Sequence, residues 1–320
     1  MTGPAGRRVA AIDCGTNSLR LLIADADPRT GKLTDVDRRM RIVRLGQGVD
    51  ATGRLAADAL SRTFGVLAEY AAAIRESGAA AIRMVATSAT RDAANAAEFS
   101  REVTAILGAP PDVISGEEEA ALSFLGATAE LTGQLQAPYL VVDIGGGSTE
   151  FVLGEGSGGG AGELAAMSTD IGCVRLTERQ LRTDPPSEME VDAAVADIDA
   201  ALASVAASVP VATARTLVGV AGSVTTVTAM SLQLTAYDPA RIHHARISAA
   251  ATSAVTASLL AQTRQQRSAI PVLHPGRVDV IAAGALILDR IMTRFGFAGM
   301  VASEHDILDG IAWSLVTGGR

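Results

Sequence analysis

The sequence is poor in aromatic residues, which make up 3% of its 320 residues, and it contains only two cysteines. Alanine, valine and leucine must therefore fill the core, which the 48% apolar content makes sizeable. Cys14 and Cys173 lie far apart in the chain and in no metal-ligand spacing, so a fold built on a disulfide framework is excluded. We expect both cysteines to be small buried residues rather than nucleophiles, and Trp313 to lie in the core.

The sequence also lacks an excess of positive charge and a long apolar run. It has 27 Lys and Arg against 35 Asp and Glu, a net charge of −8, which argues against a nucleic-acid partner. No apolar stretch reaches membrane-spanning length without charges or glycines, and residues 1–8 have no apolar segment typical of a signal peptide. We therefore expect a cytoplasmic protein of about two domains with no membrane partner.

The most informative stretch that is present covers residues 141–153. An apolar run ends in Asp143, three glycines precede Ser148 and Thr149, and apolar residues resume after Glu150. The pattern predicts a strand, a tight turn and a second strand. Its glycines, Gly145, Gly146 and Gly147, let the backbone come close to an anion, and Ser148 adds a hydroxyl donor. Asp143 and Glu150 have the chemistry to hold a hard cation beside that anion. The alternative, a flexible Gly-Ser linker, is disfavoured by the buried-type strands on both sides.

The rest of the chain alternates between strands and helices. Strands are predicted over residues 8–13, 19–24, 32–43, 81–86, 112–114, 139–143, 150–153, 163–169, 216–220 and 300–302. Helices are predicted over residues 55–77, from the turn at 87–91 to 107, from 115–119 onward, from a capping box at 187–190 and from 303–306. Gly78 is the expected C-terminal cap of the first helix, residues 27–31 a hairpin turn and 154–162 a surface loop.

Three landmarks occur twice in the same order. Residues 13–18 match residues 143–148 at an offset of 130, the turn at 87–88 matches that at 222–223, and 113–115 match 301–303. The duplication predicts two similar α/β domains with a cleft between them that both aspartate turns face. We assign residues 1–130, with a C-terminal helix at 303–320, to the first domain and residues 131–302 to the second.

These motifs resemble those of the exopolyphosphatase and guanosine pentaphosphate phosphatase family, within the actin-like ATPase superfamily. The matching segments cover residues 13–21, 87–93, 115–120, 143–150, 171–174 and 221–223. The resemblance implies two tandem RNase H-like (actin-like ATPase) domains and a homodimer. The chain departs from the family at Ser303-Glu304-His305-Asp306, where a Ser-Asp-x-Gly-type turn is common. It also ends at Arg320, without the C-terminal helical domains of many members, so short polyphosphates are the expected polymer substrates.

The chemistry implied is hydrolysis of a terminal phosphoanhydride, which needs charge neutralisation, an oriented water and a stabilised leaving phosphate. The resemblance makes Glu119 the residue that activates water. For the residues alone, the dipole of the helix that they open accounts for some acid at 117–119, because acids are favoured in a helix's first turn. The predicted phosphate-binding residues are Asn17, Ser18, Arg91, Gly145, Gly146, Gly147, Ser148, Gly222 and Ser223, with Arg20 and Arg44 as weaker candidates. The predicted ligands of Mg²⁺, or alternatively Mn²⁺, are Asp143, Glu150 and Asp13.

The leading hypothesis is an exopolyphosphatase that releases orthophosphate from chain ends. A phosphatase converting pppGpp to ppGpp shares the same motifs and stays open. An ATP-dependent kinase on the same fold and a nucleotide sensor without turnover are disfavoured, the first by the lack of an acceptor-site signature and the second by intact Glu119, Asp143 and Glu150. The histidines at 243, 244, 274 and 305 show no metal-ligand spacing, so no zinc site is predicted.

Overall fold

The structure, a computed structural model, describes residues 6–27, 32–131, 134–156 and 164–317. The chain forms two compact units, Met1–Ala129 with Ile307–Arg320, and Glu130–Asp306. Compared with the ranges assigned from the sequence, residue 130 and residues 303–306 fall in the second unit rather than the first. Most of the predicted hairpin turn at 27–31 and of the loop at 154–162 lies outside the described residues, as does the start of the N-terminal segment 1–8.

The first unit is built on a five-stranded sheet with the order β3-β2-β1-β4-β5. Its strands are β1 (Arg7–Cys14), β2 (Ser18–Asp27), β3 (Lys32–Ile42), β4 (Ala81–Ala86) and β5 (Asp112–Val113). The first three are antiparallel, whereas β4 and β5 run parallel to β1. The helices between them are α1 (Val49–Thr52), α2 (Ala57–Ser77), α3 (Ser88–Arg91), α4 (Ala96–Leu107) and α5 (Gly116–Thr128). Helix α2 buries one stripe of its surface and, as predicted, ends at Gly78, which has the left-handed conformation.

The second unit repeats that order of strands. Its strands are β6 (Tyr139–Ile144), β7 (Thr149–Gly154), β8 (Ala165–Thr169), β9 (Thr216–Val220), β10 (Arg246–Ser248) and β11 (Gly299–Ala302). Its sheet order is β10-β11-β9-β6-β7-β8. Read from the other edge, β8-β7-β6-β9-β11 follows the same order as β3-β2-β1-β4-β5 of the first sheet, and β10 is added beyond β11. Its helices are α6 (Cys173–Arg179), α7 (Glu188–Ser208), α8 (Ala221–Ser231), α9 (Pro239–Ile242), α10 (Ala249–Ala261), α11 (Arg264–Ser268) and α12 (Ile281–Phe295). The capping box predicted at Ser187 and Glu190 is present at the start of α7.

The duplication extends to single hydrogen bonds. The amide of Gly15 donates to the carbonyl of Ser18 over 3.0 Å, and the amide of Gly145 donates to the carbonyl of Ser148 over the same distance. Each bond closes a short turn between the first two strands of its sheet. The internal repeat predicted from the sequence is therefore confirmed in both topology and turn geometry.

The last helix, α13 (Ile307–Thr317), packs in the first unit, as the resemblance implied. Ile307, Leu308 and Ile311 are buried in a cluster with Val9 and other residues of the first sheet. Trp313 on the same helix is buried, as predicted. Where α13 passes α5 there is no room for a side chain, because a Cβ at Gly310 would lie 2.0 Å from the carbonyl oxygen of Leu122.

The single helix predicted from residues 87–91 to 107 is wrong, because α3 ends at Arg91 and α4 begins at Ala96. The side chain of Asn95 occupies the break. Its Oδ1 accepts from the amide of Leu55 over 2.9 Å, and its Nδ2 donates to the carbonyl of Leu55 over 3.1 Å. Arg91 consequently ends a one-turn helix instead of beginning a long one. Across the described ranges, no helix is long and apolar enough to cross a membrane.

Candidate active site

The three consecutive glutamates at the start of α5 lie in three different environments. The hydroxyl of Ser115 caps the helix by accepting from the amide of Glu118 over 3.2 Å. Glu117 is exposed, whereas Oε1 of Glu118 accepts from Nη2 of Arg83 over 2.6 Å. Glu119 is 8% exposed. Because successive residues of a helix project about 100° apart, only one of the three is directed into the protein.

Glu119 contacts Arg91, which is the arginine predicted to bind phosphate. Nη1 of Arg91 donates to Oε2 of Glu119 over 3.2 Å and to the carbonyl oxygen of Ile114 over 3.0 Å. The carbonyl contact fixes the guanidinium at the end of β5, and the guanidinium in turn orients the carboxylate. A buried, oriented carboxylate has the properties that general-base chemistry requires. The structure thus brings the predicted base and a predicted phosphate ligand together within one unit.

The turn after β1 is held by backbone contacts from the segment that follows β3. The carbonyl of Asn17 accepts from the amides of Val43 and Arg44, and Arg44 has a positive φ of 52°. Asn17 and Ser18 are half-buried in this turn. Arg20, directly opposite Asp13 on β2, donates to its carboxylate from Nε over 2.8 Å. Asp13, predicted as a metal ligand, is therefore already paired with a guanidinium, and Arg20 is engaged by a carboxylate.

The glycine turn after β6 is clamped by the start of α6. The amide of Cys173 donates to the carbonyl of Gly145 over 2.9 Å, and the amide of Val174 donates to that of Gly146 over 2.9 Å. Gly172 lies against the turn so closely that a Cβ there would be 2.3 Å from the oxygen of Gly146. This contact gives the motif at 171–174 its physical role, which is to fix the turn that carries Gly145, Gly146, Gly147 and Ser148.

Asp143 and Glu150 form a buried carboxylate pair on neighbouring strands. They are directly opposite one another on β6 and β7, and they are 6% and 1% exposed. The hydroxyl of Ser168, opposite Glu150 on β8, donates to Oε1 of Glu150 over 2.8 Å. Like charges directly opposite in a sheet destabilise it, and a hard cation bound by both carboxylates would offset their repulsion. The oxygen-only donor set fits Mg²⁺ or Mn²⁺.

The third predicted phosphate turn begins α8. Ala221 has a φ of 69°, in the left-handed region that is uncommon for a residue with a side chain. Gly222 is covered by the guanidinium of Arg277, because a Cβ there would lie 2.2 Å from its Cζ. Nη1 of Arg277 donates to the carbonyl of Gly222 over 3.4 Å, and Ser223 is buried beside it. Sequence reasoning missed Arg277, because nothing in its local sequence connects it to a turn 55 residues earlier.

Two halves with one strand order, each carrying an aspartate turn between its first two strands, define the actin-like ATPase class of α/β proteins. Within that class, the chain matches the model of the Ppx/GppA phosphatase family over residues 22–317, and it belongs to this family.

Three relatives illustrate the range of the family. Exopolyphosphatase 2 of Mycobacterium tuberculosis is 50% identical over 319 residues, which cover 96% of this chain and 98% of the relative. A crystal structure of an exopolyphosphatase-like protein superposes with a TM-score of 0.91 at 44% identity and covers 97% of this chain and 98% of its own. The guanosine-5'-triphosphate,3'-diphosphate pyrophosphatase of Vibrio cholerae is 41% identical over 174 residues, or 54% of this chain and 33% of that relative.

Proposed function

We propose that the protein is an exopolyphosphatase, which hydrolyses the terminal phosphoanhydride bond of inorganic polyphosphate and releases orthophosphate. Identity of 50% to an exopolyphosphatase over nearly the whole of both chains supports the activity. The observation in the structure that supports the mechanism is the contact of Glu119 with Arg91, because the buried carboxylate accepts from the guanidinium that is predicted to bind phosphate.

The chemistry assigned to the chain begins with a water oriented by Glu119. As its oxygen bonds to the terminal phosphorus, the carboxylate accepts a proton from the water, and the bond from phosphorus to the bridging oxygen breaks. The products are orthophosphate and a chain one phosphate shorter. Arg91 stabilises the equatorial oxygens through its guanidinium, which suits a charge-assisted hydrogen bond.

In this proposal, the predicted phosphate-binding turns supply the donors for the remaining phosphate oxygens. The glycine turn at 145–147 and Ser148 supply donors in the second unit, together with Gly222 and Ser223. Asn17 and Ser18 do so in the first unit. Asp143 and Glu150 would hold Mg²⁺, with Asp13 as a further ligand, and the bound ion would neutralise phosphate charge. Because Arg20 already pairs with Asp13, the β6–β7 carboxylates are the principal ligands that we assign.

The second candidate is a phosphatase for guanosine pentaphosphate. The similarity to the Vibrio cholerae enzyme favours this candidate, because the 174 matched residues span more than half of this chain. Hydrolysis of pppGpp to ppGpp uses the same bond type, the same base and the same metal. The two functions differ only in what lies beyond the third phosphate of the substrate, which is further phosphate in one case and guanosine in the other. A cytoplasmic location and a homodimer complete the proposal, and sedimentation of the purified chain tests the latter.

The decisive experiment compares phosphate release from short polyphosphate, long polyphosphate, pppGpp and ATP by one preparation with Mg²⁺. We expect kcat/KM for short polyphosphate to exceed that for pppGpp and ATP by about tenfold or more, which corresponds to roughly 1.4 kcal/mol of differential transition-state binding. A preference for pppGpp of the same size would establish the second candidate. No release from any of the four substrates would refute both.

A further inference from the structure

A cluster of histidines lies in the second unit, beside the turn at 303–306. His243 and His305 both face the carboxylate of Glu130. Oε2 of Glu130 is 3.2 Å from Nε2 of His243 and 3.6 Å from Nδ1 of His305. One donor atom from each of these three residues lies within 4.8 Å of the other two. This cluster could not be predicted from the sequence, because Glu130 precedes His243 by 113 residues.

These separations fit the edges of a tetrahedral metal site. A zinc ion bonded to nitrogen and oxygen at roughly 2.0–2.1 Å places neighbouring ligand atoms about 3.3 Å apart. The two measured separations, 3.2 and 3.6 Å, lie on either side of that value. Two imidazoles with one carboxylate are also a common ligand set for zinc.

We propose that Glu130, His243 and His305 form a binding site for a divalent transition metal of the zinc class. Imidazole nitrogen selects such ions over Mg²⁺, which takes oxygen ligands. The site therefore differs in chemistry from the carboxylate pair of β6 and β7. His244, whose ring centroid is 3.7 Å from that of His243, completes the wall of the site.

The hydrogen bonds of His243 indicate which ring nitrogen a metal would meet. The amide of Glu304 donates to Nδ1 of His243 over 3.1 Å, so the neutral ring carries its proton on Nε2 and donates it to Glu130. A metal bonded to Nε2 would take the place of that proton, which would shift to Nδ1, and the amide of Glu304 would then lose its acceptor. Metal binding is thereby coupled to the turn at 303–306, in which Glu304 also accepts from the hydroxyl of Tyr237 over 2.7 Å.

The cluster contains residues from both ends of the second unit. Glu130 is the first residue of the second unit, and Asp306, next to His305, is the last. A metal bonded to Glu130 and His305 would tie the point where the chain enters this unit to the point where it leaves. We therefore expect the metal to stabilise this unit without being required for hydrolysis.

The test titrates Co²⁺ into the full-length chain after removal of metals by chelation and resupply of Mg²⁺. We expect intense visible absorption, typical of four-coordinate Co²⁺, that saturates at about one equivalent and is abolished by Zn²⁺. His305→Gln and Glu130→Gln should each weaken binding by about a hundredfold or more, because each removes a direct ligand and loss of even an indirect partner costs 10- to 100-fold. Glu130 is half-exposed, so its variant is expected to fold.

His274→Asn is the matched control, because His274 caps Gly276 elsewhere in the same unit and should leave the titration unchanged. Thermal melting with Zn²⁺ gives a second readout, and the melting temperature should rise for the wild type and not for His305→Gln. The proposal is overturned if no saturable absorption develops, if the bands have the low intensity of six-coordinate Co²⁺, or if His305→Gln binds like the wild type. Loss of binding in Asp143→Asn alone would also overturn it, because the ion would then occupy the carboxylate pair.

Discussion

At the scale of single residues, burial separates three glutamates that are adjacent in the sequence. Glu117 faces solvent, Glu118 pairs with Arg83, and Glu119 is buried against Arg91. The sequence predicted that the three could not be equivalent, because a helix turns by about 100° per residue. It did not predict the contact of Glu119 with Arg91, which depends on where α3 ends.

We expect Glu119→Gln to lower turnover on short polyphosphate by at least about a hundredfold while substrate still binds, because general-base catalysis contributes roughly a hundred- to ten-thousand-fold. Glu117→Gln, the matched control two residues earlier in the same helical turn, should keep turnover within about twofold, because a solvated first-turn acid interacts mainly with the helix dipole. Steady-state kinetics on variants with unchanged melting temperatures make the comparison. Similar small losses in both variants would leave only the dipole role for this cluster.

Gly172 is the second residue whose role the structure defines. In Gly172→Ala, the new Cβ would lie 2.3 Å from the oxygen of Gly146, so the glycine turn must move. We expect kcat/KM to fall by about a hundredfold, the usual effect of a displacement near 1 Å in a catalytic group. Gly65→Ala is the control, because no atom lies within 4 Å of a Cβ there and α2 gains a better helix former. Full activity of Gly172→Ala would show that the turn does not act in the reaction.

At the scale of elements, the pairing of β6 with β7 makes the metal prediction specific. Asp143→Asn and Glu150→Gln each remove one of two opposed carboxylates. We expect both variants to need a higher Mg²⁺ concentration for half-maximal rate, by about tenfold or more, the range reported for lost metal-site interactions. Rates measured across a Mg²⁺ titration test this, with the exposed Asp192→Asn of α7 as control. Wild-type Mg²⁺ dependence in both variants would contradict the assignment.

The attachment of α13 to the first sheet gives a second prediction at this scale. Arg38 on β3 binds buried Asp309 of α13, with Nη2 2.5 Å from Oδ1, and it also binds exposed Asp35 through Nε over 2.7 Å. We expect Asp309→Asn to lower the free energy of unfolding by about 2 kcal/mol, as for other hydrogen bonds to charged groups. Asp35→Asn shares the same arginine and should cost under about 1 kcal/mol, because exposed ion pairs contribute little. Urea denaturation measures both, and equal losses would mean that burial of Asp309 is unimportant.

At the scale of the whole molecule, the internal repeat made the fold predictable from the sequence. The sequence patterns of the strands, of the aspartate turns and of helix α2 involve only residues that are neighbours in the chain, so each could be recognised from the sequence. The break between α3 and α4 was missed because it depends on Asn95 reaching Leu55, 40 residues earlier. The interdomain cleft predicted from the repeat stays a prediction.

The candidate site was predictable to the extent that its residues sit in local motifs. Asp143, Glu150 and Ser148 share one hairpin, and Glu119 opens one helix. Arg277 and the cluster of Glu130, His243 and His305 were missed because their members meet only after folding. Side chains brought together from distant segments leave no periodic or motif signal in a single sequence.

The central claim is that water, activated by Glu119, attacks the terminal phosphorus. The most direct measurement is hydrolysis of short polyphosphate in ¹⁸O-labelled water, with mass spectrometry of the products. We expect about one ¹⁸O atom in each released orthophosphate and none in the shortened chain, because the oxygen of the attacking water bonds to the phosphorus that leaves. Label in the shortened chain, or orthophosphate released without label, would contradict the account.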